Sequence, residues 1–481
     1  MSLLDNIALV KLPEVSYDQQ IVQRGVDEAF QLLGYDIENF GKDNWNPLKK
    51  IIHPGDHILL KPNMVLHKNN NPTGGVICLY TQPAVVAAVL KYVVRACDSK
   101  GAITIADAPM QACDWDVLIQ ESGYADMVAR FQRENPTIKF SLKDLRGVKS
   151  IVKNGFYRYH KNEDVDEIMV RLDEQSSFWG LPEERIRAMR VTDYDPDILT
   201  SYHTKEQHIY SIAKEVLDAD VFINIPKPKM HRKAGITCAL KNIVGTVTRK
   251  ECLPHHTNGH KTAEDVSRGG DAYLSPNIFR RVEDWMLDYR NRFAQTRGNV
   301  SGAWLFQQCL RVNRFLARKV GMEEKYSEGS WYGNTTISKT ITDLNKILFY
   351  ADKDGVMSTG LKPVRKYLIV ADMIVAGDHD GPLAPTPNPL GIIGVGENPV
   401  QFDEVIATLY GARMEYMHTI NEARNSAKSL HPLVLMNQEG RICSNNLMWN
   451  GKTWRELSTG DKLQIVSPTS WNKAFYTPML K

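Results

Sequence analysis

The sequence is poor in cysteine and has none in close pairs. Seven cysteines are spread over 481 residues, and the closest two, Cys238 and Cys252, stand 14 positions apart. An odd count, a low density and the absence of any CxxC exclude a disulfide scaffold, a zinc ribbon and a ferredoxin-type cluster. A reducing cytoplasm is the expected compartment. Long apolar runs are missing too. The best candidate, PAVVAAVLKYVVRA, is cut by Lys91 and Arg95, so no membrane span and no membrane partner are expected. The first twenty residues lack a basic start, an apolar stretch and a small-residue cleavage site, and do not read as a signal peptide. Charge of one sign is also missing. Fifty-nine Lys plus Arg against 56 Asp plus Glu leave +3, too balanced for a general nucleic-acid binder. There is no P-loop, GxSxG, HExxH, kinase set or EF-hand spacing, and no internal repeat.

What is present is an ordinary globular composition, 43% apolar and 24% charged. At about 150 residues per domain the length allows roughly three domains, or one large α/β unit with insertions. Four short apolar runs each end in polar or charged residues: Ile58–Leu60, Ile103–Ile105, Val221–Ile225 and Tyr367–Val370. Such runs suit strands buried on both faces. Helical spacing marks Gln82–Cys97, Gln207–Asp218 and Phe402–Gly411. The alternation predicts an α/β fold: an open, mostly parallel sheet with helices on both faces. Ligands of such sheets bind beyond the carboxyl ends of the strands. Lys61, Asn63, Asp107, Lys227, Lys229 and Asp372 would share that edge. The core is expected in 1–274 and 331–412. A helical insertion, its arginines facing solvent, is expected in 275–330. A small C-terminal α+β appendage with strands in PLVLM and KLQIV is expected in 413–481.

The densest candidate chemistry lies in PKPKMHRKAGITCALKNIVGTV, residues 226–247. Pro226 and Pro228 keep the chain extended, so Lys227, Lys229 and His231 would share one face. Such a face suits a phosphate or carboxylate, although a basic surface loop is the plainer alternative. Thr237 and Lys241, four apart, would share a helical face ahead of Asn242 and Gly245. Lys61 is a candidate anion ligand or catalytic amine, and Asn63 holds a ligand or organises the turn. Asp107 can bind a metal, act as a general base or cap a helix. CLPHHTNGH supplies Cys252, His255, His256 and His260. These suit a transition metal or acid–base work, against a plain loop of hydrogen-bonding histidines. His203 and His208 are weaker candidates. Residues 371–391, with Asp372, Asp378, His379 and Asp380 among many Gly and Pro, read as a long shaped loop.

IPKPKMHRKAGITCALKNIVG resembles the central signature of domain-of-unknown-function family 362. LLKPNMV, ITIADAP, YLIVADMIVAGDHDGPL and FDEVIATLYG follow the order of the other family blocks, and GNTTISKTITDLNKIL resembles a segment of its larger members. The resemblance spans roughly residues 55–412. It implies an α/β fold. Some members are associated with iron–sulfur domains and others resemble components of polysaccharide gene clusters; the cysteine-rich part is absent from this chain. The positions matching the family pattern include Lys61, Asn63, Asp107, Lys227, Lys229, His231, Thr237, Lys241, Asn242, Gly245, Asp372 and Asp403.

The expectation is therefore a cytoplasmic enzyme for an anionic small molecule, by isomerisation, group transfer or metal-assisted hydrolysis. Asp107, His231, Lys241 and Asp372 would be catalytic. Lys61, Asn63, Lys227, Lys229, Thr237 and Asn242 would bind ligand, and His255 and His256 would hold a divalent metal ion. A non-catalytic binding or assembly protein is the main competitor, and an iron–sulfur-linked redox protein the third.

Overall fold

In the computed structural model the described residues are 5–153, 156–260, 269–274, 277–295, 298–323, 327–426, 429–433 and 439–476. A ten-stranded sheet organises them. Its strands are β1 (Ile7–Lys11), β2 (His57–Pro62), β3 (Ala102–Asp107), β4 (Lys139–Asp144), β5 (Val221–Ile225), β6 (Lys229–His231), β7 (Gly235–Thr237), β8 (Lys366–Asp380), β9 (Ala384–Gly396) and β10 (Ile442–Ser444). The order across the sheet is β10-β1-β9-β8-β5-β2-β3-β4, with β6 and β7 as a short ladder beside β8. From β8 to β4 every neighbouring pair is parallel. The four apolar runs legible in the sequence are β2, β3, β5 and the first part of β8.

Alternate residues of these strands face two cores, as the period of two requires. Ile58, Leu60, Val221 and Ile223 face α1 (Gln19–Leu32) and α2 (Pro83–Cys97). Leu59, Phe222 and Ile369 face the other core. There the longer helices are α6 (Thr336–Tyr350) and α7 (Pro399–Leu409), with the short α3 (Ala239–Asn242) between sheet and α7. Helix starts follow local chemistry: Pro83 sits in the first turn of α2. The Asn398 side chain accepts from Val400 N and Gln401 N at the start of α7.

Several expectations need correction. Gln207–Asp218 is mostly strand, not helix: Gln207–Ala213 pairs with Glu167–Arg171 and with His203–Thr204. Its apolar His208-Tyr210-Ile212 face has a period of two, which tertiary pairing used in place of the helical spacing. Residues 371–391 are not a loop but most of a long hairpin, β8 with β9. Pro385, Pro387 and Pro389 fall on alternate positions of β9. β1 reaches only Ile392–Val395, so the prolines' missing N–H groups lie along an unpaired edge. Lys462–Val466 forms no strand, whereas β10, unforeseen, adds parallel to β1. Part of PLVLM lies outside the described residues. Trp449, Ile465, Trp471 and Phe475 pack in the same core as α6 and α7. The C-terminal segment thus closes the α/β body.

Residues 278–319 form a hairpin of α4 (Ile278–Ala294) and α5 (Val300–Lys319). It is tied to the body by Arg190–Asp288 and Arg292–Asp197, each 2.8 Å.

Candidate functional site

Chain order reverses across the sheet between β2 and β5. From β2 the chain steps outward to β3 and β4; from β5 it steps the opposite way to β8. Such a reversal opens a crevice at the carboxyl ends of the two central strands. Lys61 and Asn63 leave β2 there, and Pro226–Lys229 leaves β5. α3 lies across the opening. Its first N–H groups, Ala239 N and Leu240 N, donate to the Asp403 carboxylate at 2.8 and 3.1 Å. Burial pushes the Asp403 carboxyl up to about 7.

Two of the expected ligand lysines are closed into buried ion pairs. Lys227 Nζ lies 2.9 Å from Asp372 Oδ2, and both side chains are fully buried. Lys227 also donates to the Tyr17 hydroxyl at 2.6 Å, and Tyr17 donates to Asp372 Oδ1 at 2.9 Å. The same carboxylate accepts from Gln82 N at 2.9 Å. It thereby caps α2, whose first turn favours negative charge. Lys61 Nζ lies 2.8 Å from Asp107 Oδ1, and Asp107 Oδ2 accepts from Met64 N at 2.6 Å. Between the pairs runs an amide relay. Asn242 Oδ1 accepts from Lys61 and from Asn63 Nδ2, at 3.1 and 3.0 Å. Asn63 Oδ1 accepts from Lys229 at 2.5 Å, and Asn242 Nδ2 donates to Asn224 Oδ1 at 2.7 Å.

Four lysines near the crevice have no such partner. Among the described residues, Lys229, Lys233, Lys241 and Lys250 have no carboxylate within ion-pair distance. Lys229 donates only to neutral oxygens, Asn63 Oδ1 and Leu79 O. Burial, and then Lys227, bring its amine down to about 7. Lys250 donates to Ala108 O at 2.9 Å and Val244 O at 3.3 Å. Lys233 donates to Thr192 Oγ1 at 2.7 Å. Lys241 makes no hydrogen bond within the described residues. Burial, and then repulsion from Lys250, Lys61 and Lys233, lower Lys241 to about 7. Burial lowers Lys250 to about 8, with Lys61 pushing the same way against the pull of Asp107. Lys233, Lys241, Lys250 and His255 are half-buried. They lie at the solvent-reaching rim of the candidate site, where Lys241 and Lys250 feel the charges of the Lys61–Asp107 pair.

The remaining expected residues divide. His231 Nδ1 accepts from Lys233 N and Ala234 N at 3.0 and 3.1 Å, locking the turn after β6. Burial, then Lys241, hold its imidazole well below the ordinary range. Thr237 belongs to β7, opposite Lys229, rather than to one helical face with Lys241. Its hydroxyl is buried without a partner among the described residues. His255 bonds through Nδ1 to Leu253 O at 2.7 Å, while His256 stands on a two-residue strand pairing with Met189–Arg190. Among the described residues no three His, Cys, Asp or Glu side chains gather as a metal-holding group. His203 and His208 form a buried pair, Nδ1 to Nδ1 3.1 Å. Asp378 accepts from Asn388 at 3.0 Å, and Asp380 meets Arg232 at 3.0 Å.

The network also uses residues outside the expected set: Tyr17, Asn224 and Lys250. Asn224 had a readable signal, being one amide within the otherwise apolar VFINI. Tyr17 had none, being brought in from a distant part of the chain, whereas Lys250 lies just past the 226–247 segment, nine positions after Lys241.

The model of the family described as "Domain of unknown function (DUF362)" matches residues 58–170 and 181–408. The chain belongs to the DUF362 family. In DUF362 terms the two stretches hold every strand from β2 to β9 except the first residue of β2, as well as α3, α6 and all of α7 but its last residue. Tyr17 and β10 lie outside them. A thylakoid-associated protein of Synechocystis sp. is 28% identical over 220 residues, 46% of this chain and 47% of that protein. The chain thus spans about half the length of that curated relative. No solved structure matches this DUF362 chain. No described helix is long and apolar enough to cross a membrane.

Proposed function

We propose that the crevice beyond β2 and β5 binds an anionic small molecule through Lys233, Lys241 and Lys250. The observation behind it is uncompensated charge. Lys61 and Lys227 are neutralised by Asp107 and Asp372, but the rim lysines repel one another, with no carboxylate within ion-pair distance among the described residues. Burying like charges costs stability that a phosphate- or carboxylate-bearing ligand would return. Lysines titrating at about 7 and about 8 also exchange protons readily at neutral pH. That favours an enzyme in which Lys241 is the acid–base group. Asp107 and Asp372 then hold their lysines in place rather than move protons. A reducing, cytoplasmic setting fits seven free cysteines, five of them buried.

Thermal midpoints with inorganic phosphate, pyrophosphate and citrate test this. At least one of these anions should raise the midpoint of the full chain. Lys241→Met and Lys250→Met should each remove the shift, and Arg232→Gln, exposed beside Asp380, should keep it. No shift with any of the three, or a shift retained in both lysine variants, would count against the site.

A pH dependence follows from the same lysines. Their ordinary value is 10.5. At low pH they are charged in both folded and unfolded chains, and the cost of burial is full. As pH climbs through about 7 to 8 the folded lysines release protons that the unfolded chain still holds, so stability rises. Between pH 7 and about pH 9 the urea midpoint of the ligand-free protein should rise more than that of the Lys241→Met/Lys250→Met double variant. Equal slopes would contradict the titration.

A further inference from the structure

The helical hairpin carries a surface the crevice does not explain. α5 turns Ala303, Leu310, Asn313 and Ala317 inward against α4. Asn313 donates to Phe279 O at 2.8 Å, and Phe293 and Phe306 stack across the hairpin with centroids 5.6 Å apart. At about 100° per residue, Trp304, Leu305, Val312, Phe315 and Leu316 fall on the opposite face. All five are exposed, Trp304 at 57% and Phe315 at 55%. Trp304 to Leu316 covers about 18 Å of the helix, and these side chains line one exposed face, with Gln308 between Leu305 and Val312. Isolated exposed apolar residues need no explanation, but five on one face of one helix point to an interaction surface.

Charge decides what covers it. Val300–Lys319 contains no acidic residue and four cations, Arg311, Arg314, Arg318 and Lys319. The three arginines run along one flank of the stripe, and Lys319 lies within it, its ammonium 5.6 Å from the centroid of the Phe315 ring. Arg314 and Arg318 also meet Glu283 and Glu323, at 2.7 and 2.9 Å. Arg311 and Lys319 meet no acid among the described residues. A second copy packed in parallel on this face would set cations against cations, and in either orientation its own α5 has no acidic residue to offer them. An anionic bilayer would receive the apolar stripe among its acyl chains and the cations at its headgroups.

We propose that the outer face of α5 docks the protein on an anionic membrane surface, lying in the interface plane without crossing it. The expectation that no membrane partner exists rests on the lack of a spanning run, and a helix lying on a surface needs none.

Flotation of the full chain with lipid vesicles tests this. The protein should float with phosphatidylcholine vesicles containing phosphatidylglycerol and stay behind with phosphatidylcholine alone, and added salt should weaken the association. Trp304→Ser/Phe315→Ser should reduce the floated fraction about tenfold or more, and Arg311→Gln/Lys319→Gln should reduce it less. Both pairs are exposed, so the urea midpoint should not move. Failure to float with anionic vesicles, or flotation undiminished in the Trp304→Ser/Phe315→Ser variant, would overturn the proposal. So would self-association in sedimentation velocity that this variant abolishes in a protein that does not float, since the stripe would then belong to a second copy.

Discussion

Asp372→Ala is expected to destabilise the protein by about 3–5 kcal/mol, because it strands the buried Lys227 ammonium. The carboxylate accepts from Lys227, Tyr17 and Gln82 N at once. Its removal therefore also uncaps α2. Lys227→Met is expected to cost less, about 1–3 kcal/mol, because Asp372 keeps the Tyr17 hydroxyl and two backbone N–H groups, Gln82 N and Ile374 N. Urea unfolding of the two variants gives the order directly. A cost below about 1 kcal/mol for both would mean that the pair is open and Lys227 faces ligand.

Gly245→Ala is expected to cost about 3–5 kcal/mol through the other pair. Gly245 O accepts from Ala108 N at 2.8 Å, which presses this backbone onto the Lys61–Asp107 pair. A Cβ there would run into Asp107 Oδ1 and lie 2.7 Å from Lys61 Nζ. Neither group has room to retreat, since both are buried and committed to other bonds. The variant must part the ion pair or shift the turn that follows α3. Gly360→Ala is the matched control: its Cβ would meet only Ser358 Oγ at 3.6 Å, and the change should stay within about 0.5 kcal/mol. Equal midpoints for the two variants would show that the close approach at Gly245 is not what holds the pair together.

The edge of the sheet was legible because its strands are buried on both faces. Near-continuous apolar runs that end abruptly in Lys61, Asp107 and Lys227 leave little ambiguity about where the carboxyl ends lie. The pairing of the charges was not legible. Lys227 and Asp372 are 145 positions apart, Lys61 and its amide partner Asn242 181, and a single sequence records no contact between either two. Read locally, KPKMHRK is a row of cations awaiting an anion. Folded, its first lysine is already neutralised, and the free charge sits further on, at Lys233 and Lys241, and at Lys250. The long hairpin of β8 and β9 was hidden for a different reason. Its prolines and glycines have the composition of a loop, and only the edge position of β9 makes them tolerable in a strand.

The proposed function requires that Lys241 and Lys250 hold an anion. Titration calorimetry of the full chain with pyrophosphate at neutral pH measures this most directly. Saturable binding that weakens about tenfold or more in Lys241→Met and in Lys250→Met, each losing a charge-assisted contact, is the expected result. Affinity unchanged in both variants, or no binding, would contradict it.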